Sequence, residues 1–435
     1  METERDPHGD RPTVSTATTQ PVRVHTLSLW SRGGHERPAP PDEPTGIPDV
    51  VFASDDRWYR NGPLLLVLLA VAFNLWAFRA EARTVEYGND MVLHTQMVTL
   101  AHHLISLGRI PLGQWYPFMA QGSSLFVQYQ SFSAILTGAV SSVIGVRLAM
   151  SLSLYLLFSL WPISVYFSGR LLGFGRWVAG VAAVMAPLLW SINIRGFEIR
   201  AYAWNGAGLW SQLWAMWTLP LAWGFCWRYV SQRRYLAGAV ITLALTIAFH
   251  FITAYLAVLA LVILVVVSPR QLAARLRRAA VVGVGAVLAS IWILVPFFAD
   301  VRWTSVDGAE LGTTVVNSYG APTVLKWLVT GNLYDHGRVP IITFFVAVGL
   351  VVCLRRWRVD ERARVVVGLW VLSLLLFFGR PTLGPLLNVL PDSGRLLLQR
   401  YVSGVQLAGL FMAGVGAVTV ARWIAASIEA RVRRR

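Results

Sequence analysis

The residues best suited to chemistry follow the first apolar run directly, in a polar stretch from Glu81 to Gln121 centred on Tyr87-Gly88-Asn89-Asp90-Met91-Val92-Leu93-His94. Asp90 stands at the lip of an otherwise apolar chain, where desolvation penalises a carboxylate that a purely structural segment could do without. A positioned carboxylate there can take a proton from a hydroxyl, as a general base. His94 comes four residues later, on the same face if the segment is helical, and could orient the acid. The plain alternative is a solvated loop acid with a polar neighbour. His102 and His103 lie one or two turns further on, but no cysteine or close second acid completes a metal set with them.

A second polar stretch, Ser191 to Asn205, carries Glu198 between Arg195 and Arg200. As an exposed ion pair this group would contribute little. Arg395 and Arg400 precede the last apolar run, and their planar guanidinium forks suit phosphate, although interfacial snorkelling explains them as well. His250 interrupts a 33-residue apolar run, Tyr235 to Val267. An ionisable group inside a bilayer points to function, with helix capping or packing as the other reading. Asp300, at the end of the run Val281 to Phe298, is a third acid for a cavity or a simple helix-end residue. Asp335, His336 and Arg338 are suited to a lid.

The elements that must position these residues are apolar helices. The 435-residue chain is 55% hydrophobic and 14% charged, with a mean hydropathy of +0.55, which describes a polytopic, all-α membrane protein and leaves no room for a soluble catalytic domain. The formal charge of +16 comes almost wholly from arginine, Lys326 being the only lysine. These arginines sit between apolar runs, so they report topology rather than nucleic-acid binding. Cys226 and Cys353 each fall inside an apolar run without a partner at metal-ligand spacing, which predicts neither disulfide nor zinc. Glycine-rich phosphate loops, nucleophile elbows and HExxH motifs are not apparent, which disfavours nucleotide-sugar use and serine or zinc hydrolysis.

Runs long enough to cross, or nearly cross, about 30 Å of hydrocarbon lie at Pro63 to Phe78, Leu148 to Phe167, Trp177 to Trp190, Leu209 to Phe225, Tyr235 to Val267, Val281 to Phe298, Ile341 to Leu354, Val365 to Phe378 and Val402 to Val420. Splitting the 33-residue run at His250 into two short helices gives ten spans. With the N terminus inside, the arginine-rich loops 170–176, 228–234, 270–278 and 355–364 and the tail 431–435 all fall on the cytoplasmic side. This requires Ser123 to Ile144 to lie at the outer interface, which Gln128, Tyr129 and Gln130 make plausible. Residues 1–60 read as a disordered cytoplasmic tail, 61–425 as the transmembrane domain, and 426–435 as a basic cytoplasmic C terminus.

An acid in the first external loop, followed by Gly108-Arg109-Ile110-Pro111-Leu112-Gly113-Gln114-Trp115 and an interfacial helix, resembles the GT-C superfamily of polyprenyl-phosphate-sugar-dependent glycosyltransferases. Within it, the chain is most similar to the prokaryotic membrane proteins labelled 6-pyruvoyl-tetrahydropterin-synthase-related. The resemblance spans about Pro63 to Val420 and includes Asn332 to Pro340 and Arg395 to Arg400. The adjacent double acid of some members is absent, since Asn89 precedes Asp90.

The resemblance implies a GT-C-like fold of about ten transmembrane helices with interfacial helices in the first external loop. It implies transfer of a sugar from a polyprenyl phosphate to an envelope glycan, lipid or protein on the outer face, with inversion. Asp90 would be the base, with His94 and Glu198 beside it in the catalytic set. Arg395, Arg400 and His250 would hold the donor phosphate. Tyr87, Asn89, Gln121, Arg195, Asp300, Asp335 and His336 would line the substrate cavity. A divalent cation, Mg or Mn, would sit at Asp90 and Glu198 if one is used. Trp210, Trp214 and Trp217 share a helix face and could line a groove for the isoprenoid tail, although aromatic belts or packing explain them too. A membrane partner subunit would supply acceptor-binding surface that the short loops lack; nucleic acid is not a partner. The competing readings are a lipid or glycan transporter, against which the lack of a second half echoing the first argues, and a noncatalytic subunit of an envelope assembly complex.

Overall fold

The computed structural model describes residues 57–83, 88–117, 122–192, 194–202, 207–303 and 312–434. The described chain is helical, and its only β pairing is two isolated bridges, Tyr116 with Ser123 and Trp190 with Asp335. The helices run α1 (Arg57–Ala77), α2 (Met91–Ser106), α3 (Leu125–Gln128), α4 (Phe132–Ile144), α5 (Val146–Leu172), α6 (Arg176–Met185), α7 (Trp210–Gln232), α8 (Leu236–Phe249) and α9 (Phe251–Val266). They continue with α10 (Leu272–Ala289), α11 (Ile291–Asp300), α12 (Thr314–Asn317), α13 (Ala321–Val329), α14 (Ile341–Arg355), α15 (Glu361–Phe378), α16 (Arg380–Leu383) and α17 (Val402–Arg433). The tail read as disordered lies almost wholly outside the described residues. Helix α17 runs on into the basic C terminus as far as Arg433.

Each apolar run became helix, and the breaks have local causes. His250 adopts an extended backbone, and its Nδ1 accepts the Thr253 amide at 3.2 Å and pairs with the Thr253 hydroxyl at 2.7 Å. The residue that interrupts the 33-residue run therefore caps α9. The run Val281 to Phe298 is likewise divided at Ser290, between α10 and α11. The segment Ser123 to Ile144 divides at Tyr129 to Ser131, and α4 packs back on α2, where Gly138 lies against Ala101. By length and apolarity, α5 and the helix over 398–433 can each cross a bilayer alone. Two bent pairs, 251–266 with 269–289 at 97° and 361–378 with 380–389 at 87°, add two spans if each counts as one. Six other apolar helices have 10–17 residues, so the expected ten crossings exceed what helix length alone supports.

At the centre stands α17, with every residue from Val402 to Gly416 buried and α14, α15 and α6 packed along it. Small residues allow this approach: a Cβ at Gly349 would overlap the Met412 carbonyl oxygen, and one at Gly416 the Phe345 carbonyl oxygen. Gly349→Leu is expected to force α14 off α17 and lower stability by about 1–3 kcal/mol or more, read as a drop in thermal midpoint of the detergent-solubilised protein. An unchanged midpoint would show that the two helices can separate freely.

The arginine-rich loops gather at one end of the bundle. Arg228 donates to the Arg170 carbonyl at 2.9 Å and Arg362 to that of Gly173 at 2.7 Å. Arg275, buried over the Trp227 ring, pairs with Glu361 at 2.7 Å. The N-terminal ends of α2, α5 and α7 meet at the opposite end, where Trp210 donates its Nε1–H to Ser153 at 3.0 Å and contacts His94.

Candidate active site

Asp90 occupies the N-cap position of α2, yet among the described residues its carboxylate makes no cap hydrogen bond. The side chain is exposed and thus available. Asn89, just before it, is held at φ 51°, and Arg195 on the facing loop at φ 58°. Such left-handed backbone is tolerated by asparagine and uncommon for arginine, and strain of this kind gathers at functional sites. Gly208 (φ 73°) lets the loop before α7 lie on the Asp90 and Met91 amides, where a Cβ would come within 2.8 Å of the Met91 nitrogen. Partial desolvation holds the Asp90 carboxyl above its ordinary range, while the Arg400 and Arg195 guanidinium groups pull it down. Arg400 and Arg195 therefore lie within electrostatic range of Asp90, without a direct ion pair to it among the described residues.

Beneath Asp90, His94 is 1% exposed and packs between the rings of Tyr129 and Trp210, with centroids 5.7 and 5.4 Å away. Burial lowers its pKa to about 4, so the ring is neutral, and among the described residues its Nε2 has no hydrogen-bond partner. Burial pushes the Tyr129 phenol upward, and the phenol feels the charges of Asp90 and Arg400.

Arg400 enters from the 3-10 turn Leu398–Tyr401 that leads into α17, and is 8% exposed. Its Nη1 donates to the Gln212 Oε1 at 3.4 Å, and its Nε lacks a partner among the described residues. Gln212 in turn donates its Nε2 to the carbonyls of Arg195 and Gly196, each at 3.2 Å, and to the Tyr202 hydroxyl at 3.0 Å. This one amide ties both arginines together. Behind it, Glu198 accepts from the Gly196 amide at 3.2 Å and from the Gln406 Nε2 at 3.3 Å, while the Gln406 Oε1 accepts from the Phe197 amide at 2.6 Å. Buried polar groups such as these contribute only when every partner is present. Gln406→Leu should therefore leave Glu198 buried without the Gln406 donor and lower stability by about 3 kcal/mol. Equal midpoints for Gln406→Leu and wild type would contradict this bracing role.

The fold thus brings Asp90, His94, Arg195 and Arg400 into one neighbourhood, and His250 lies close enough to Arg400 to sense its charge. Other residues singled out from the sequence have local partners. Both Asp335 oxygens accept from the start of α14, at 3.3 Å from the Ile342 amide and 2.8 Å from the Thr343 amide and hydroxyl. His336 meets the Asn332 side chain at 2.7 Å, and Asp300 accepts from Ser124 at 2.9 Å. Arg395 lies 3.8 Å from Asp392 on an exposed turn. Tyr87 and Gln121 lie outside the described residues. Gln212, Gln406, Tyr202 and Tyr129 are additions from the structure; an amide inside an apolar run was the available signal for the first two.

A divalent cation at Asp90 and Glu198 does not fit these surroundings. The charged neighbours of Asp90 are guanidinium groups, and both Glu198 oxygens already accept N–H donors. Among the described residues no three His, Cys, Asp or Glu side chains come together in a metal-holding group.

The fold is similar to that of the Archaeoglobus fulgidus oligosaccharyltransferase in the apo form, at 13% identity and a TM-score of 0.52 over 83% of this chain and 51% of that one. It is similar also to the archaeal oligosaccharyltransferase AglB from Archaeoglobus fulgidus in complex with an inhibitory peptide and a dolichol-phosphate, at 13% identity and a TM-score of 0.50 over 83% of this chain and 50% of that one. The chain spans about half the length of these structures, and at such identity the likeness is one of fold alone. No curated protein matches the chain. The family model of the 6-pyruvoyl-tetrahydropterin synthase related domain, a membrane protein family, matches residues 125–430, and the chain belongs to that family.

Proposed function

We propose that this protein moves a sugar from a polyprenyl-phosphate donor to a cell-envelope glycan, lipid or protein acceptor at the outer face of the cell membrane. The observation that carries the reading is the meeting of an available carboxylate, Asp90, with two guanidinium groups, Arg195 and the buried Arg400, on a GT-C-like fold. The similar AglB structure holds a dolichol-phosphate, a lipid phosphate of the proposed donor class.

In the proposed reaction the acceptor oxygen bonds to the anomeric carbon as the bond from that carbon to the phosphate oxygen breaks. The acceptor hydroxyl proton passes to the Asp90 carboxylate, and the electron pair leaves with the polyprenyl phosphate. Arg400 and Arg195 neutralise the charge that builds on that phosphate, through forked hydrogen bonds that strengthen as the bond breaks. One displacement inverts the anomeric centre. Neutral His94 and Tyr129 form the floor beneath the acid, and the Glu198, Gln406 and Gln212 network fixes the arginines.

The base must be ionised, and desolvation holds its pKa above the ordinary value. Activity is therefore expected to fall as pH drops through that raised pKa, giving kcat/KM an acid limb above the range of a free aspartate. Stability has the opposite sign: with the folded pKa above the unfolded one, ionisation of Asp90 opposes folding as pH rises through the window between them. A pH–rate profile checks this, and a flat acid side would contradict it.

The reading is tested by offering the purified protein a panel of polyprenyl-phosphate sugars and following carrier release and product configuration by mass spectrometry and NMR. Inverted product from one donor supports it. Absence of turnover with every donor and acceptor class, in folded protein, overturns it.

A further inference from the structure

We propose a separate site for the phosphate headgroup of an anionic membrane lipid, at the junction of α1 and α5. The two helices lie side by side: Asn74 donates to the Ser159 carbonyl at 3.2 Å, and the Tyr155 hydroxyl to that of Leu75 at 2.7 Å. This pairing brings the turn after α1, which carries Arg79 and Arg83, beside the first turn of α5, which carries Arg147.

Two depressions share Arg83 as a common wall. One, of about 440 Å³, is bounded by Arg79 and Arg83. The other, of about 520 Å³, is bounded by Arg83, Arg147 and Ser151. All three arginines are exposed, and among the described residues no carboxylate pairs with any of them. Glu81, on the same turn, already has a partner of its own. Arg79 is held in place by its bond to the Trp76 carbonyl and lies 4.8 Å above the Trp76 ring.

Exposed apolar side chains adjoin the three charges, among them Trp76 (62% exposed), Phe73, Ile144 and Leu148. Guanidinium groups above an apolar surface match an amphiphile: a phosphate fits the forks, and acyl chains lie along the aromatic side. A soluble phosphate ester would use only the first half of this surface. Neither Arg195 nor Arg400 lines either depression, so the site is separate from the proposed reaction centre and does not rest on the transfer reading.

The test extracts the full-length protein from nanodiscs containing phosphatidylcholine with or without phosphatidylglycerol and reads retained lipid by native mass spectrometry. Wild type should retain phosphatidylglycerol, and the triple variant Arg79→Gln, Arg83→Gln, Arg147→Gln should lose about 100-fold in affinity, near fivefold per charge at a lipid surface. Arg83→Gln alone, which borders both depressions, should give a smaller loss with an unchanged thermal midpoint, so that misfolding cannot mimic the effect. Arg395→Gln is the control and should retain lipid as wild type does. Equal retention by the triple variant and wild type overturns the proposal. Displacement of the bound lipid by soluble glycerol phosphate at comparable concentration also overturns it, because the apolar half would then contribute nothing.

Discussion

Asp90→Asn is expected to lower sugar transfer by about 10²–10⁴-fold, the usual contribution of a positioned general base, while donor binding and the fold survive. The change is nearly isosteric, and the carboxylate caps no helix among the described residues, so no structural bond is removed with it. Desolvation penalises the ionised acid, so the neutral amide should leave the thermal midpoint at neutral pH equal to or slightly above that of wild type. Asp90→Glu, which keeps the carboxylate but moves it, should retain part of the activity. Transfer, donor affinity and midpoint measured on one preparation separate these effects. Full turnover by Asp90→Asn would remove the base from the account.

Arg400→Met should have the next largest effect, and of a different kind. Methionine keeps the apolar stem and removes the fork, so the leaving phosphate loses a buried cationic donor. By analogy with the loss of one preorganised donor to a developing oxyanion, kcat should fall by about 10²–10³-fold. Donor affinity should fall by about tenfold or more, because a charge-assisted hydrogen bond also acts in the ground state. Arg400→Lys, which keeps the charge without the planar fork, should lie between. Met at this position leaves only the Gln212 Oε1 without its donor, and that oxygen makes a long bond of 3.4 Å in the native protein, so the fold should hold. Unchanged donor affinity and kcat in Arg400→Met would end its phosphate role.

Much of the helical layout was legible because the bilayer enforces apolar runs, and each run did become helix. What the runs could not give was the breaks. Whether His250 caps a helix depends on whether its ring turns back to the Thr253 amide, and the division at Ser290 has no charged residue to mark it. The site was legible in part. Asp90, His94, Arg195 and Arg400 stood out because ionisable groups are rare in such a chain, although the fold joins them across more than 300 residues of sequence. Asp335, Asp300 and Arg395 stood out for the same reason, yet each has a local partner, and residue type cannot tell a helix cap from a base. Gln212 and Gln406 drew no notice because they are neutral. Inside an apolar run an amide still demands partners, and these two bind the site loop to the core.

The measurement that tests the central claim most directly is a cryo-EM structure of the protein with a polyprenyl phosphate bound. The account predicts phosphate density between Arg195 and Arg400, with the sugar-bearing side open toward Asp90. Phosphate bound elsewhere, with the two guanidinium groups still facing Asp90 and empty, would contradict it.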